Sequence, residues 1–174
     1  MRGKVLIIGR HPLRENLLTQ YKQQNCDVTV MESFDATADF DSYTELFLLP
    51  QTPFSHPDET PTDHITLTTL LKIAPSYHPS QHQGRKLKCH LLLTDNATLQ
   101  ILQVQDFSAA IRPTLDVYPF TMEDVWSKTI VLDREPITIQ SEKTVHLVIF
   151  GKGPMAEQVA LNAAHVAHYP NYIR

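Results

Sequence analysis

Basic residues and long apolar runs are both scarce in this chain, and each shortage excludes a class of protein. Fifteen lysines and arginines against nineteen acidic residues leave a net charge of −4, whereas proteins that wrap nucleic acid depend on clustered positive charge. No apolar run approaches the roughly 18 residues that a membrane helix needs. We therefore expect a cytoplasmic protein with no nucleic-acid partner, built as one domain and an appendage within 174 residues.

A recognisable catalytic residue set is also lacking. The sequence contains no nucleophile elbow, no P-loop lysine, no paired catalytic carboxylates and no Ser/His/Asp set. We therefore predict that the protein is not an enzyme, and we assign no catalytic residue.

The two cysteines give no support to disulfide or metal chemistry. Cys26 and Cys89 have no CxxC spacing, which indicates reduced, structural thiols. A zinc site would need Cys89 together with His78, His82 and His90, but their spacing fits no closed structural site. His90 also falls in a predicted buried strand and faces away from Cys89. We therefore predict no metal.

Apolar runs typical of buried parallel strands alternate with helical patterns over residues 1–128. The predicted strands are residues 4–8, 27–32, 46–49, 87–93 and 115–118. The predicted helices are residues 13–21, 62–73, 95–104 and 121–127, and the third is capped by Asp95 or Asn96. This alternation predicts an α/β fold that is Rossmann-like, with a mostly parallel sheet and helices on both faces.

The pattern changes after residue 128. Residues 129–143 form a predicted linker or hairpin, and residues 144–174 form a predicted C-terminal appendage. The appendage consists of an apolar strand at 144–150, a glycine turn and an alanine-rich helix that continues to residue 168. An unpaired strand there would leave an apolar edge, so pairing with the host sheet or with a second copy is favoured.

Glycine is scarce, and its placement singles out two turns. Three of the five glycines lie where a predicted strand leads into a helix. In the phosphate-binding pattern G-x-G-x-x-G/A, the glycines allow a tight turn and close approach of the backbone to a pyrophosphate, while the small third residue allows close helix packing. The helix N-terminus then faces the phosphates. The second turn matches this pattern in full, at Gly151, Gly153 and Ala156.

The first turn matches the pattern only in part. Gly9 keeps the leading position, but His11 and Arg14 hold the other two, so we do not expect intact dinucleotide binding there. Glu32 follows Gly9 at about 20 residues, the spacing at which an acidic residue contacts a ribose. Arg10, His11 and Arg14 either contact a phosphate instead or are merely exposed.

Four stretches of the chain carry a family resemblance. Three of them, KVLIIGRHPLRENLLTQYKQQNCDVTVME, LKCHLLLTD and VYPFTMEDVWSKTIV, resemble the TrkA-N family, the Rossmann domains that regulate potassium conductance in bacterial channels and transporters. The terminal stretch VHLVIFGKGPMAEQVALNAAHVAHYPN is similar to the opening of a second such domain, as found in tandem in this family. The resemblance implies a cytoplasmic, usually dimeric module that senses NAD(H), ATP or another nucleotide and changes shape without catalysis.

Carried over by position, the resemblance implies two nucleotide sites. It places Gly9 under the phosphates and Glu32 at the ribose in the first domain, and it places Gly151, Gly153 and Ala156 at the phosphates in the second. The acidic partner of the second site would lie beyond the end of the sequence. We therefore expect the chain to be a fragment of a longer protein.

Three functions remain open at this stage. The first is a non-catalytic nucleotide-sensing regulatory domain of a potassium channel or transporter system, with NAD or another adenine nucleotide as its ligand and a second copy as its partner. The second is a degenerate Rossmann scaffold that serves protein assembly and binds no nucleotide. The third is a dehydrogenase fragment, against which the missing acid and base residues count heavily.

Overall fold

The alternating apolar segments form the strands of one sheet. The computed structural model describes residues 3–51, 62–82, 84–104, 111, 113–132 and 147–166, and the chain divides into two units, Met1–Phe120 and Thr121–Arg174. The strands are β1 (Lys4–Arg10), β2 (Asp27–Met31), β3 (Glu45–Gln51), β4 (Leu87–Leu93) and β5 (Leu115–Thr121). The helices of the first unit are α1 (Leu13–Gln23), α2 (Thr62–Ile73) and α3 (Asn96–Val104).

All five strands run parallel, in the order β2-β1-β3-β4-β5. Strand β1 therefore lies between β2 and β3, and the chain reverses its direction of travel across the sheet at that point. In open sheets of this kind, ligands bind outside the carboxyl ends of the strands at such a switch point. The predicted α/β class with a parallel sheet is confirmed.

The two faces of the sheet are covered differently. On one face, Leu46 of β3 and Leu91 of β4 are buried with Leu70 of α2 and Leu99 of α3, and each such side chain stabilises the fold by about 1.5–3 kcal/mol. On the other face lies α1, none of whose residues is fully buried. Helices thus lie on both faces, as predicted, but only one face carries the main core.

Strand β1 continues to Arg10, past the glycine at which it was predicted to end. Gly9 has a φ of 124°, and the register between β1 and β3 shifts between Ile8 and Arg10. A Cβ atom on Gly9 would lie 2.2 Å from the carbonyl oxygen of Leu49. This glycine is therefore required for the close approach of β1 to β3 inside the sheet.

Capping of α3 follows the prediction. Its N-cap is Asp95, whose carboxylate accepts hydrogen bonds from the amides of Ala97 and Thr98, both at 3.1 Å. These bonds lower the pKa of Asp95. The buried carboxylate of Asp63, at the start of α2, accepts bonds from the amides of Thr94 and Asp95, so the turn after β4 is fixed from two sides.

In the second unit, α4 (Met122–Leu132) packs against α5 (Pro154–Val166). Two predictions are wrong here. Residues 129–132 belong to α4 and not to a linker or hairpin, whose remainder lies outside the described residues. Residues 147–150 form no strand, and residues 144–146 lie outside the described part of the chain. A strand needs a neighbouring strand for its hydrogen bonds, and the described residues beyond β5 provide only two helices.

The packing at Gly9 leads to a stability prediction. We expect Gly9→Ala to lower the free energy of unfolding by about 3 kcal/mol, because the new methyl group clashes with backbone that cannot move aside cheaply. Gly84→Ala is the matched control, since Gly84 also has a positive φ, of 79°, but no atom lies within 4 Å of the added Cβ. The control should cost about 1–2 kcal/mol. Urea unfolding measures both, and equal losses would refute this role of Gly9.

Candidate functional site

The switch point brings four of the predicted site residues together. Gly9 and Arg10 end β1, His11 follows them, and Glu32 directly follows the last residue of β2, the neighbouring strand. The guanidinium of Arg10 donates a hydrogen bond to the carboxylate of Glu32. A ribose hydroxyl that approached Glu32 would have to compete with this charge-assisted contact.

The N-terminus of α1 is capped by its own chain. The amide of Leu13 donates to Nδ1 of His11 at 3.2 Å, and the amide of Arg14 donates to the His11 carbonyl at 2.9 Å. Pro12, which lies between His11 and Leu13, has no N–H group. Burial lowers the pKa of His11, which favours the neutral imidazole that can accept a hydrogen bond at Nδ1. Two of the donors that a phosphate would use, the amides of Leu13 and Arg14, are therefore already occupied.

Little space remains between β1, β3 and α2 at this edge. Among the described residues, Gly9, Phe34, Leu49, Ile65 and Thr69 line a cavity of about 10 Å³, which is the space of roughly one water molecule. A Cβ at Gly9 would meet the Leu49 backbone, so the glycine serves strand packing there. The described residues of the first turn do not fit a dinucleotide.

The second glycine turn has the opposite properties. Gly151 and Gly153 have φ angles of 122° and 145°, and no atom of the described residues lies within 4 Å of a Cβ placed on either. Neither glycine is thus required by packing, and the backbone at both remains open to close approach. The carbonyl of Gly153 accepts the first helical bond of α5, from the Glu157 amide at 3.1 Å, and Pro154 occupies the favoured first helical position.

The start of α5 offers donors to an anion. Among the described residues, no acceptor is bonded to the amides of Met155 and Ala156, and the positive end of the helix dipole lies at the same place. Both glycines and Lys152 line a cavity of about 570 Å³, together with residues 147–150. Ligand pockets span about 300–1,000 Å³. The residues of this turn therefore fit the phosphate groups of a nucleotide, and Lys152 adds a positive charge.

A third cluster, on the α1 face of the sheet, was not predicted. Oε1 of Glu45 lies 2.7 Å from Nε2 of His90, and the Tyr21 side chain also bonds to Glu45. The imidazole of His90 stacks between the rings of Phe47 and Tyr118, at centroid distances of 4.6 and 5.4 Å. Once β3 and β4 are known to be neighbours, the alternation of side chains places His90 on the same face as Glu45 and Phe47, because Phe47 and His90 are direct partners in the ladder.

The electrostatics of this cluster indicate a structural role. The hydrogen bond from His90 lowers the pKa of Glu45, and burial raises the pKa of Tyr21. Glu45 is the first residue of β3, so the pair lies near the amino end of that strand, away from the edge where ligands bind to such sheets. The prediction that Cys89 and His90 face opposite sides is confirmed, because Cys89 is buried in the core of the other face.

The cysteines and the other metal-binding side chains form no metal site among the described residues. Within the described ranges, no three His, Cys, Asp or Glu side chains are grouped as metal ligands. Both cysteines are free thiols, and burial raises the pKa of Cys89. Among the described residues, no helix combines the length and apolar character needed to cross a bilayer.

Comparisons with models of known protein families, with curated proteins and with solved structures find no match for this chain.

The Glu45–His90 pair gives a pH prediction. Because the folded-state pKa of Glu45 is lowered, its contribution to stability is present above the unfolded pKa of about 4.3 and is lost as the pH falls through the folded value. We expect Glu45→Gln to cost about 1–2 kcal/mol at pH 7, and this cost should shrink at about pH 3. Urea unfolding at both pH values measures it.

Glu15→Gln is the matched control, because Glu15 is an exposed carboxylate paired only with its neighbour Arg14. The control should change stability by less than about 0.5 kcal/mol at either pH. A Glu45→Gln variant that matched the control at pH 7 would show that the cluster contributes nothing.

Proposed function

We propose that this chain is a non-catalytic, nucleotide-sensing regulatory module whose phosphate contacts are made by the turn at residues 151–156. The observation that carries the proposal is the contrast between the two glycine turns. Gly151 and Gly153 hold positive φ angles. Among the described residues, no atom lies within 4 Å of a Cβ placed on either, and no acceptor is bonded to the amides of Met155 and Ala156. Gly9 is packed against β3, and the amides that follow it are capped by His11.

The sheet of the first unit then serves as a scaffold. At its switch point, where nucleotides bind to related folds, Phe34 and the start of α2 line a cavity of about 10 Å³ beside Gly9. Arg10, for which phosphate contact and simple exposure were both left open, bonds to Glu32, which lies at the spacing of a ribose contact. We infer that this edge contributes stability rather than ligand contacts.

The ligand class follows from the chemistry of the second turn. Backbone amides at a helix N-terminus and the Lys152 ammonium favour phosphate oxygens, and the apolar side chains of residues 147–150 offer contact area for a planar ring. An adenine nucleotide, NAD(H) or ATP, combines both features. A bound nucleotide would place its negatively charged phosphates and its ring system at this turn.

The residues that line this cavity fit a protein that binds a nucleotide without catalysing its reaction. Lys152 is the one titratable side chain among the described residues that line this cavity, and general acid–base chemistry needs a matched donor and acceptor. A regulatory role demands that the ligand shift a conformation or an association. The assignment to a potassium channel or transporter system rests on the TrkA-N resemblance.

A second candidate is a scaffold for protein assembly that binds no nucleotide. The closed first turn favours it, because a packed Gly9 and a capped helix explain the missing glycines at positions 11 and 14 without any ligand.

Isothermal titration of the full chain with NADH, NAD, ATP and ADP tests the proposal. We expect saturable binding of at least one nucleotide, and recovery of that nucleotide unchanged. Gly153→Glu should weaken binding at least about tenfold, because its carboxylate would face the phosphates. The matched control is Gly84→Glu, at a glycine that also has a positive φ and open surroundings, and it should bind normally.

The Glu32→Ala variant distinguishes a nucleotide site in the first unit from one in the second. It should leave nucleotide affinity unchanged, because Glu32 belongs to the closed turn. Loss of binding in Glu32→Ala alone would move the site to the first unit and contradict the proposal. No binding of any nucleotide by the parent chain would support the assembly scaffold.

A further inference from the structure

A polar network joins the two helices of the second unit. Asp124 and Ser127 of α4 and Asn162 of α5 are buried. Val159 is the one large apolar side chain that is buried among the described residues of this unit. Helix pairs normally bury an apolar stripe, so hydrogen bonds supply an unusually large share of the contact between α4 and α5.

The carboxylate of Asp124 is the centre of this network. Its Oδ1 accepts hydrogen bonds from Nδ2 of Asn162 at 3.4 Å and from Nε2 of Gln158 at 3.3 Å. Its Oδ2 accepts a bond from the ammonium of Lys128 at 2.7 Å. Nδ2 of Asn162 also donates to Oγ of Ser127 at 2.6 Å. One carboxylate thus contacts two successive turns of α5, and a satisfied buried network specifies one packing arrangement.

The helix faces that carry this network continue to the cavity at the second glycine turn. Residues three or four apart lie on one side of a helix. Ile130 follows Ser127 by three residues on α4, and Val159 precedes Asn162 by three residues on α5. Both Ile130 and Val159 line the cavity of about 570 Å³ that also contains residues 151–156. The wall of this cavity therefore depends on how α4 is placed against α5.

We propose that Asp124 and Asn162 are positioning residues for the nucleotide site. Neither lines the cavity, but their bond fixes the placement of Ile130 relative to Val159. Groups that bind a ligand must be held within about 0.5 Å of the productive geometry by packing and by surrounding hydrogen bonds. The inference rests on the proposed function, and it adds two residues that lie outside the glycine pattern.

An exchange of the two side chains tests the inference by isothermal titration of the full chain with ATP and with NADH. Asn162→Asp should raise the dissociation constant at least about tenfold, because two buried carboxylates then repel each other and the helices shift. Asp124→Asn should raise it about threefold, since the amide replaces a charged acceptor by a neutral one. The double variant Asp124→Asn/Asn162→Asp should bind within about twofold of the parent chain, because one amide again faces one carboxylate.

Ala160→Asp is the matched control for charge. Ala160 is an exposed residue of α5 that lies closer in sequence to the glycine turn than Asn162 does. The variant therefore adds the same negative charge to the same helix at an exposed position. Because an exposed charge is screened by salt, the dissociation constant should rise by less than about twofold at physiological ionic strength.

Trp126 separates positioning from a simple loss of stability. It is the one tryptophan of the chain and lies on α4, so its fluorescence during urea unfolding reports on the second unit. An apparent dissociation constant is divided by the fraction of competent molecules. Where Trp126 shows a variant to be at least about 90% folded, unfolding alone changes the apparent constant by only about a tenth, and a tenfold rise must come from the site.

The possible failures are distinguishable. A parent chain that bound neither ATP nor NADH would overturn the proposed function and this inference with it. A parent chain that bound nucleotide, together with a folded Asn162→Asp variant of equal affinity, would overturn this inference alone. If Asn162→Asp does not fold, Asp124→Asn decides, and binding by that variant at the affinity of the parent would overturn the inference.

Discussion

The close approach of β1 to β3 at Gly9 is the contact on which the first unit depends. It puts β1 against β3 at the point where the chain reverses its direction of travel across the sheet, and it uses the glycine that a phosphate would otherwise approach. The imidazole of His11 then caps the helix that follows. The same short segment therefore completes the pairing of β1 with β3 and occupies the amides of Leu13 and Arg14 at the carboxyl edge of the sheet.

The second unit follows the opposite principle. Its glycine turn is required by no neighbouring atom, and its two helices are joined through a hydrogen-bonded polar network rather than an apolar core. In this unit, no acceptor among the described residues is bonded to the amides of Met155 and Ala156. We infer that the first unit contributes stability and that the second unit provides the ligand contacts.

Much of the fold could be predicted from the sequence, because apolar periodicity directly reflects burial. The five strands were predicted on that basis, and N-cap preference named Asp95 or Asn96 as the cap of α3, of which Asp95 is the one observed. The absence of a strand at residues 147–150 could not be predicted, since the composition of that segment is that of a buried strand. The Glu45–His90 pair joins two strands that are distant in sequence, so strand order had to be known first.

The candidate site was predicted in part. The sequence showed that the turn at residues 151–156 matches the phosphate pattern, but whether the amides after Gly9 were free depended on the orientation of His11. The most direct test is an amide NMR titration with ATP and with NADH. Our account predicts shifts at Gly151, Gly153 and Ala156, with Gly9 and Leu13 unchanged. Shifts at Gly9 and Leu13, with the second turn unchanged, would contradict it.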